Sequence, residues 1–412
     1  MAVKFKGYEL IDGGVCAAKG FQASGVHCGL RKNKTKPDLA LIYSETMCNA
    51  AAVYTLNKVK GAPIYVTKEH LKDGKAQAII VNSGNANTCN IDGEQKAEMM
   101  CELIAKELNI NSDDVIVAST GIIGEILPIE PIQNSCGKLK AQLSSDGNDN
   151  ASLAILTTDT CKKEVAVTFQ IDDIKCTIGG MAKGSGMIHP NMATMLCFIT
   201  TDVDIQPDLL QQALQAVVND TFNMISVDGD TSTNDMVTIL ASGCAENATI
   251  ENPRSEEYEV FVNALYTVMM NLSRMIAQDG EGASKLLECT VQNACDLQTA
   301  KIVAKSVITS SLFKSAMFGE DPNWGRILCA IGYASAEFDI NHVSVRIKSV
   351  LGDVKVCEGG RGVPFDEGEV KNILHADEIK IIIDLQDGEY HAVAWGCDLT
   401  YDYVKINASY HT

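Results

Sequence analysis

A chain of 412 residues, 46% hydrophobic and 21% charged, exceeds what one hydrophobic core usually holds, so two domains or lobes of a globular enzyme are expected. Its formal charge of −19 argues against nucleic acid or an anionic membrane surface as a partner, because both take their affinity from clustered Lys and Arg; acidity here serves solubility. The opening residues, Met-Ala-Val-Lys-Phe-Lys-Gly-Tyr-Glu, lack the apolar core of a secretion signal, no stretch approaches a membrane span of roughly 18 apolar residues, and a cytoplasmic location is expected.

Helical and strand patterns alternate along the chain without low-complexity segments or a convincing repeat. Short apolar runs at 77–82 and 114–119, bounded by turn residues, read as buried strands, with an amphipathic helix over 94–108 between them: a βαβ-like unit. Its second strand ends at Thr120-Gly121, where a hydroxyl and a backbone amide can face a developing negative charge, or where the chain simply turns. Residues 139–153, with Ser144-Ser-Asp-Gly-Asn-Asp-Asn150, read as a polar, turn-rich surface stretch. Strands are predicted at 165–169 and 195–200, flanking a glycine-rich loop, and helices at 207–219 and 256–277, both as core helices. Strands follow at about 342–357 and 379–397, with Asp387-Gly388 as a hairpin signal. A mixed α/β fold follows.

The loop between the central strands carries the chemistry. Gly184 and Gly186 allow positive φ, and Pro190 fixes its own φ and pushes His189 towards an extended conformation, delivering Thr194 to the start of an apolar strand. A threonine hydroxyl is a weak nucleophile unless a base adjoins it. Cleavage of the Ala193–Thr194 bond would provide one, since the new α-amine is partly neutral near pH 7 to 8. The plain alternative is an ordinary strand-loop-strand connection. No position fits a phosphate loop or a dinucleotide fingerprint, and Asp228-Gly-Asp-Thr-Ser-Thr-Asn-Asp235 lacks the glycine at position 6 and the bidentate Glu of a calcium loop, so it reads as a structural turn near the active site. The 15 cysteines include no Cys-x-x-Cys pair and fall in apolar runs such as 195–198 and 327–330, which suggests small buried hydrophobes rather than disulfides or a metal site; Cys289 and Cys295 have no His partner nearby. His189 and His411 read as solvated or hydrogen-bonded histidines rather than catalysts.

Lys183-Gly-Ser-Gly-Met-Ile-His-Pro-Asn-Met-Ala-Thr-Met-Leu196 resembles the self-processing signature of the ornithine acetyltransferase family, also called bifunctional glutamate N-acetyltransferase of arginine biosynthesis. Further motifs of that family recur in its order: Gly14–Ala23, Asn82-Ser-Gly-Asn-Ala-Asn87, Ser119-Thr-Gly-Ile-Ile-Gly124, Thr157-Thr-Asp-Thr160, Asp228–Asp235, Asp279-Gly-Glu-Gly-Ala-Ser-Lys285, Glu320-Asp-Pro-Asn-Trp-Gly-Arg326 and Asp402–Thr412. The resemblance covers essentially the whole chain. It implies a two-lobed, self-cleaving, N-terminal-nucleophile-like acyltransferase fold with helices between sheets. Cleavage would give an α chain of residues 1–193 and a β chain of 194–412, associating as a heterotetramer of two α and two β fragments.

By the same resemblance Thr194 is the nucleophile, Thr120 and Gly121 form the oxyanion hole, and Thr157, Lys183, Thr194, Glu281, Asn407 and Thr412 bind substrate. The implied reaction moves acetyl from N2-acetyl-L-ornithine to L-glutamate through an acetyl-Thr194 ester, without metal or organic cofactor, with acetyl-CoA as a further possible acyl donor. Lys183 suits a carboxylate and Glu281 the cationic ornithine side chain. Ser409 and His411 depart from the family pattern, where an acidic residue and an arginine are expected, which bears on acceptor preference. Two other readings stay open: a self-processing amidohydrolase or aminopeptidase, in which water replaces the acceptor amine, and an unprocessed, non-catalytic binding protein.

Overall fold

The computed structural model describes residues 2–189 and 195–409. In chain order its strands are β1 (Glu9–Ile11), β2 (Phe21–Val26), β3 (Leu39–Tyr54), β4 (Lys75–Asn85), β5 (Val115–Ile122), β6 (Lys163–Ile171), β7 (Ile174–Lys183), β8 (Leu196–Thr201), β9 (Ile225–Ser226), β10 (Met236–Ala241), β11 (Leu286–Ala294), β12 (Ser344–Ser349), β13 (Gly352–Glu358), β14 (Arg361–Gly362), β15 (Glu378–Asp384) and β16 (Tyr390–Cys397). They form a nine-stranded sheet in the order β1-β6-β7-β8-β10-β3-β4-β5, with β2 also on β3, and a seven-stranded sheet in the order β14-β13-β12-β15-β11-β16-β9. The fold is mixed α/β, with helices between two sheets.

The larger sheet branches at β3. That 16-residue strand pairs with β2 and β4 through its first part and with β10 through its last, and its register against β4 shifts between Tyr43 and Cys48. Consequently Ile79 and Val81 of β4 share one apolar cluster with Leu196 and Phe198 of β8. Strands from both sides of residue 193 are interleaved here, since β8 lies between β7 and β10.

Helix Glu256–Gln278 joins the sheets. Ser255 caps it, its hydroxyl accepting from the Tyr258 amide, and Glu256, Glu257 and Glu259 complement the positive end of the dipole. Phe261, Leu265, Val268, Leu272 and Ile276 recur at helical spacing and are buried against β6 and β7 on one side and β11 and β16 on the other. Each such burial stabilises by about 1.5–3 kcal/mol. By length and composition this helix could cross a membrane, which the sequence reading did not foresee, but 72% of its apolar window is buried inside the protein: it is a core helix.

Most predicted elements lie where periodicity put them: helix Gly93–Leu108 between parallel β4 and β5, helix Pro207–Asp220, and the strand that leaves the glycine-rich loop. Four readings need correction. The strand entering the loop is β7, which the sequence reading missed; the predicted strand at 165–169 is β6, paired with β7 through a tight turn at Asp172-Asp173. Asp387-Gly388 closes no hairpin, because β15 and β16 never pair but lie on opposite sides of β11. The 139–153 stretch is not merely surface turn: helix Asn148–Ile155 buries Ala151, Ala154 and Ile155 against β2 and β3. Cysteines at 48, 101, 197 and 289 are buried as expected, whereas Cys89, Cys161, Cys295 and Cys329 are exposed. Cys329 sits in an apolar run whose outward helical face still meets water.

Candidate active site

Antiparallel β7 and β8 are neighbours, with Lys183 opposite Leu196, and β8 runs parallel to β10, with Leu196 opposite Met236. The loop that leaves β7 therefore starts and ends at one edge of the cleft. That small cleft is lined by Thr120, Lys183, Gly186, Met187, Ile188, Met195, Leu196, Ser232, Asn234 and Asp235. Three larger concavities lie elsewhere on the surface and include none of the predicted site residues. Chemistry, not size, singles out the small one.

The loop is held by acceptors for its backbone amides. Asp159 Oδ1 takes the Gly184 amide at 2.7 Å and its Oδ2 the Thr157 amide at 3.0 Å, while Asp228 takes the Met187 and Ile188 amides at 2.7 and 2.9 Å. The turn at 228–235 is thus the structural brace that the sequence suggested. His189 is braced as well, its Nδ1 lying 3.1 Å from Ser226 Oγ and its carbonyl accepting from the Thr231 hydroxyl at 2.8 Å. Burial, aided by Lys305 and opposed by Asp228, pushes the His189 imidazole down to about 4, so it is neutral near pH 7.

Two carboxylates and two lysines set the electrostatics behind the loop. Buried Lys163 bonds Asp159 at 2.8 Å and Asp279 at 2.5 Å, and Thr160 also donates to Asp279. Burial opposes the charge on Asp159, but Lys183 and Lys163 outweigh it and hold the carboxyl well below the usual carboxylate range. Burial likewise opposes the charge on Lys163, and Asp159 with Asp279 raises it above its ordinary value. Lys183 differs. Its ammonium makes no hydrogen bond or ion pair with the described residues, and burial lowers its proton affinity despite the attraction of Asp159. A buried lysine amine without a hydrogen-bond partner among the described residues, lining a cleft, is where an anionic ligand group is expected.

The oxyanion pair and the remaining binding residues converge on the same loop. Gly121 adopts φ 135°, and a Cβ there would stand 2.4 Å from the Gly84 carbonyl carbon, so only glycine allows β4 and β5 to end side by side. Asn234 ties that end to the 228–235 turn: its amide donates to the Ser119 and Ala86 carbonyls and its oxygen accepts from Thr88. On the opposite side, Glu281 donates its amide to the Ser185 carbonyl at 2.9 Å and accepts from Asn407 Nδ2 at 2.8 Å. A Cβ on Gly186 would lie 2.3 Å from the Glu281 carboxyl carbon. Loop, Glu281 and the C-terminal helix Tyr401–Ala408 are therefore packed in direct succession.

Of the predicted site residues, Thr120 and Lys183 share the cleft, Gly121 adjoins it, Thr157 reaches the loop through Asp159, and Glu281 and Asn407 meet each other beside Gly186. Ala193, Thr194, His411 and Thr412 lie outside the described residues. Sequence reasoning missed Asp159, Asn234 and Asp235 as site residues, although each falls inside a quoted motif; a polar residue buried in a turn-rich motif was the available signal. Among the described residues one group has metal-ligand chemistry, His70 with Glu98 and Asp113, but none of the three lines the cleft.

A profile of the ArgJ family matches residues 22–412. The chain is 49% identical over 405 residues to the arginine biosynthesis bifunctional protein ArgJ of Caldanaerobacter subterraneus subsp. tengcongensis, covering 98% of this chain and 100% of that protein. It is 50% identical over 393 residues to ArgJ 1 of Clostridium acetobutylicum, covering 95% and 96%. Among solved structures, the ArgJ of Bacillus halodurans is 46% identical with a TM-score of 0.49, covering 52% of this chain and 98% of that one. The ornithine acetyltransferase of Mycobacterium tuberculosis, solved with ornithine, is 37% identical with a TM-score of 0.42, covering 45% and 100%.

Proposed function

This chain belongs to the ArgJ family and is an acetyltransferase of arginine biosynthesis, and from that premise we propose that it passes acetyl from N2-acetyl-L-ornithine to L-glutamate through an ester on Thr194. Breakage of the Ala193–Thr194 bond frees an α-amine on the residue that carries the attacking hydroxyl. That amine takes the hydroxyl proton as Oγ adds to the acetyl carbon, and returns it to the departing ornithine nitrogen. Thr120 and the Gly121 amide donate to the oxyanion of the tetrahedral intermediate. The α-amine of glutamate then attacks the ester and releases Thr194.

Lys183 receives the substrate carboxylate and Glu281, steadied by Asn407, faces the ornithine side chain, with Thr157 and Thr412 completing the pocket. The observation that carries this reading is the convergence of Thr120, Lys183 and the Glu281–Asn407 pair on the loop that runs towards Thr194. No metal or organic cofactor enters the scheme, and acetyl-CoA is a second acyl donor consistent with the bifunctional relatives. The proposal includes fragments 1–193 and 194–412 remaining associated as a heterotetramer in the cytoplasm; their interleaved strands in one sheet make separation costly.

Intact mass spectrometry with and without N-acetylornithine tests the scheme. Two fragments are expected, the larger-numbered one gaining an acetyl group on incubation, and Thr194→Ala should abolish both cleavage and acetylation. An acetyl-enzyme formed by the purified Thr194→Ala variant overturns it, and acetate release without acetylglutamate points instead to a hydrolase.

A further inference from the structure

Asp235 ends the 228–235 turn and enters β10. Its carbonyl accepts the Thr55 amide at 3.1 Å, and the Met236 amide is bound to the Met195 carbonyl at 3.0 Å, which sets Asp235 beside the residue that follows Thr194 in sequence. The side chain is only 2% exposed and lines the cleft with Lys183, Thr120 and Ser232. Yet among the described residues no donor reaches Oδ2. Of the buried side-chain oxygens left without a partner among the described residues, this one alone lines the cleft. A buried acceptor without a donor costs free energy that either a proton or a ligand must offset.

Two polar atoms without a hydrogen-bond partner among the described residues, Lys183 Nζ and Asp235 Oδ2, therefore belong to the lining of one small cleft. A substrate carboxylate drawn to Lys183 arrives beside Asp235, and two adjacent carboxyl groups cannot both be ionised cheaply. The simplest arrangement leaves the incoming group as the anion and Asp235 as the acid. Resting on the reading that Lys183 receives an amino-acid carboxylate, we infer that Asp235 is a second substrate-contacting residue of that subsite. It stands as a neutral carboxylic acid and donates its hydrogen to the carboxylate that Lys183 attracts.

The surrounding charges agree. Lys183 is the charged group that acts on Asp235, and Asp159, Lys163 and Arg31 are the others that act on Lys183. Burial raises the proton affinity of Asp235 strongly, against the smaller opposing effects of hydrogen bonding by the Ser232 and Thr55 side chains, which leaves Oδ2 unmet, and of the Lys183 charge. Asp159 cannot take the role, because two donated amides and Lys163 already hold it ionised. The ligand class is thus an α-amino acid or its N-acyl derivative with a free carboxylate.

Calorimetric titration of the processed enzyme with L-ornithine between pH 6 and 8.5 tests the assignment, using wild type, Asp235→Ala and Asp235→Asn. Asp235→Ala should weaken binding roughly 10- to 100-fold, the loss of a hydrogen bond to a charged group. Asp235→Asn, whose amide donates but cannot ionise, should recover most of that loss and show a shallower decline of affinity with rising pH. Binding weakened equally in both variants, or unchanged in both, overturns the inference. Should Asp235→Ala fail to fold, the pH slopes of Asp235→Asn and wild type decide alone. A wild type that binds ornithine with these variant effects but transfers no acetyl removes the acetyl-transfer reading and leaves the subsite. One that transfers acetyl while all three proteins bind alike removes the subsite only.

Discussion

Two clusters of buried charge show how differently the sheets are used. In the seven-stranded sheet Glu288 of β11 accepts from Arg274 at 2.5 Å, Lys380 at 2.9 Å and the Trp395 indole at 3.0 Å, and Arg274 also reaches Glu378 at 2.9 Å. Every strong donor there has an acceptor. In the nine-stranded sheet Lys183 and Asp235 are buried to a similar depth, and neither Lys183 Nζ nor Asp235 Oδ2 is met by the described residues. The first cluster fastens helix Glu256–Gln278 to three strands. On the function proposed above, the second holds its polar groups for a ligand, which is the difference between charge used for structure and charge kept for binding.

Single substitutions should pull these two uses apart. Arg274→Ala leaves the buried Glu288 with weakened compensation, so stability should fall by about 3–5 kcal/mol while the transfer rate per folded molecule is retained; urea unfolding beside a steady-state assay measures both. Lys183→Met should do the reverse. It removes the burial cost of an unpartnered cation, so unfolding free energy should stay within about 1 kcal/mol of wild type, because Asp159 keeps Lys163. Transfer should drop by roughly a hundredfold or more, a loss of about 2–5 kcal/mol from a charge pair to substrate. A Lys183→Met protein that is as unstable as Arg274→Ala would make Lys183 a structural residue and erase the contrast.

Much of this was legible in the residues, for reasons that separate local from non-local forces. Helix Pro207–Asp220 and helix Glu256–Gln278 carry their apolar faces in their own periodicity, and β4 and β5 are short apolar runs with turn residues at both ends. Asp387-Gly388 misled because a hairpin needs its flanking strands to pair, and β11 took the place between them. Asp172-Asp173 does close a hairpin, with Asp172 at φ 51°, although it carries no glycine. β7 was missed because Gly179-Gly180 and two lysines dilute its apolar pattern; only burial between β6 and β8 makes it a strand. The site residues used in the proposed function came from motif resemblance. The carboxylates whose charge acts on Lys183 were not legible in this way, since Asp159 and Asp235 lie on opposite sides of the loop in sequence and come near it only through the sheet.

The smallest expected effect concerns the imidazole that closes the braced loop. His189 is held neutral with its proton affinity lowered from 6.5 to about 4, by burial first and by Lys305 second. The unfolded chain then takes up a proton at this position before the folded one does, so the contribution of His189 to stability is complete above about pH 6.5 and is lost as pH falls towards 4. His189→Gln keeps a polar partner for Ser226 and cannot titrate. Urea midpoints at pH 7.5 and pH 5 should therefore drop further for wild type than for His189→Gln, while carboxylates that titrate in both proteins cancel. Equal drops would mean that the imidazole meets solvent freely, and that the 228–235 turn braces the loop through Asp228 and the backbone without enclosing His189.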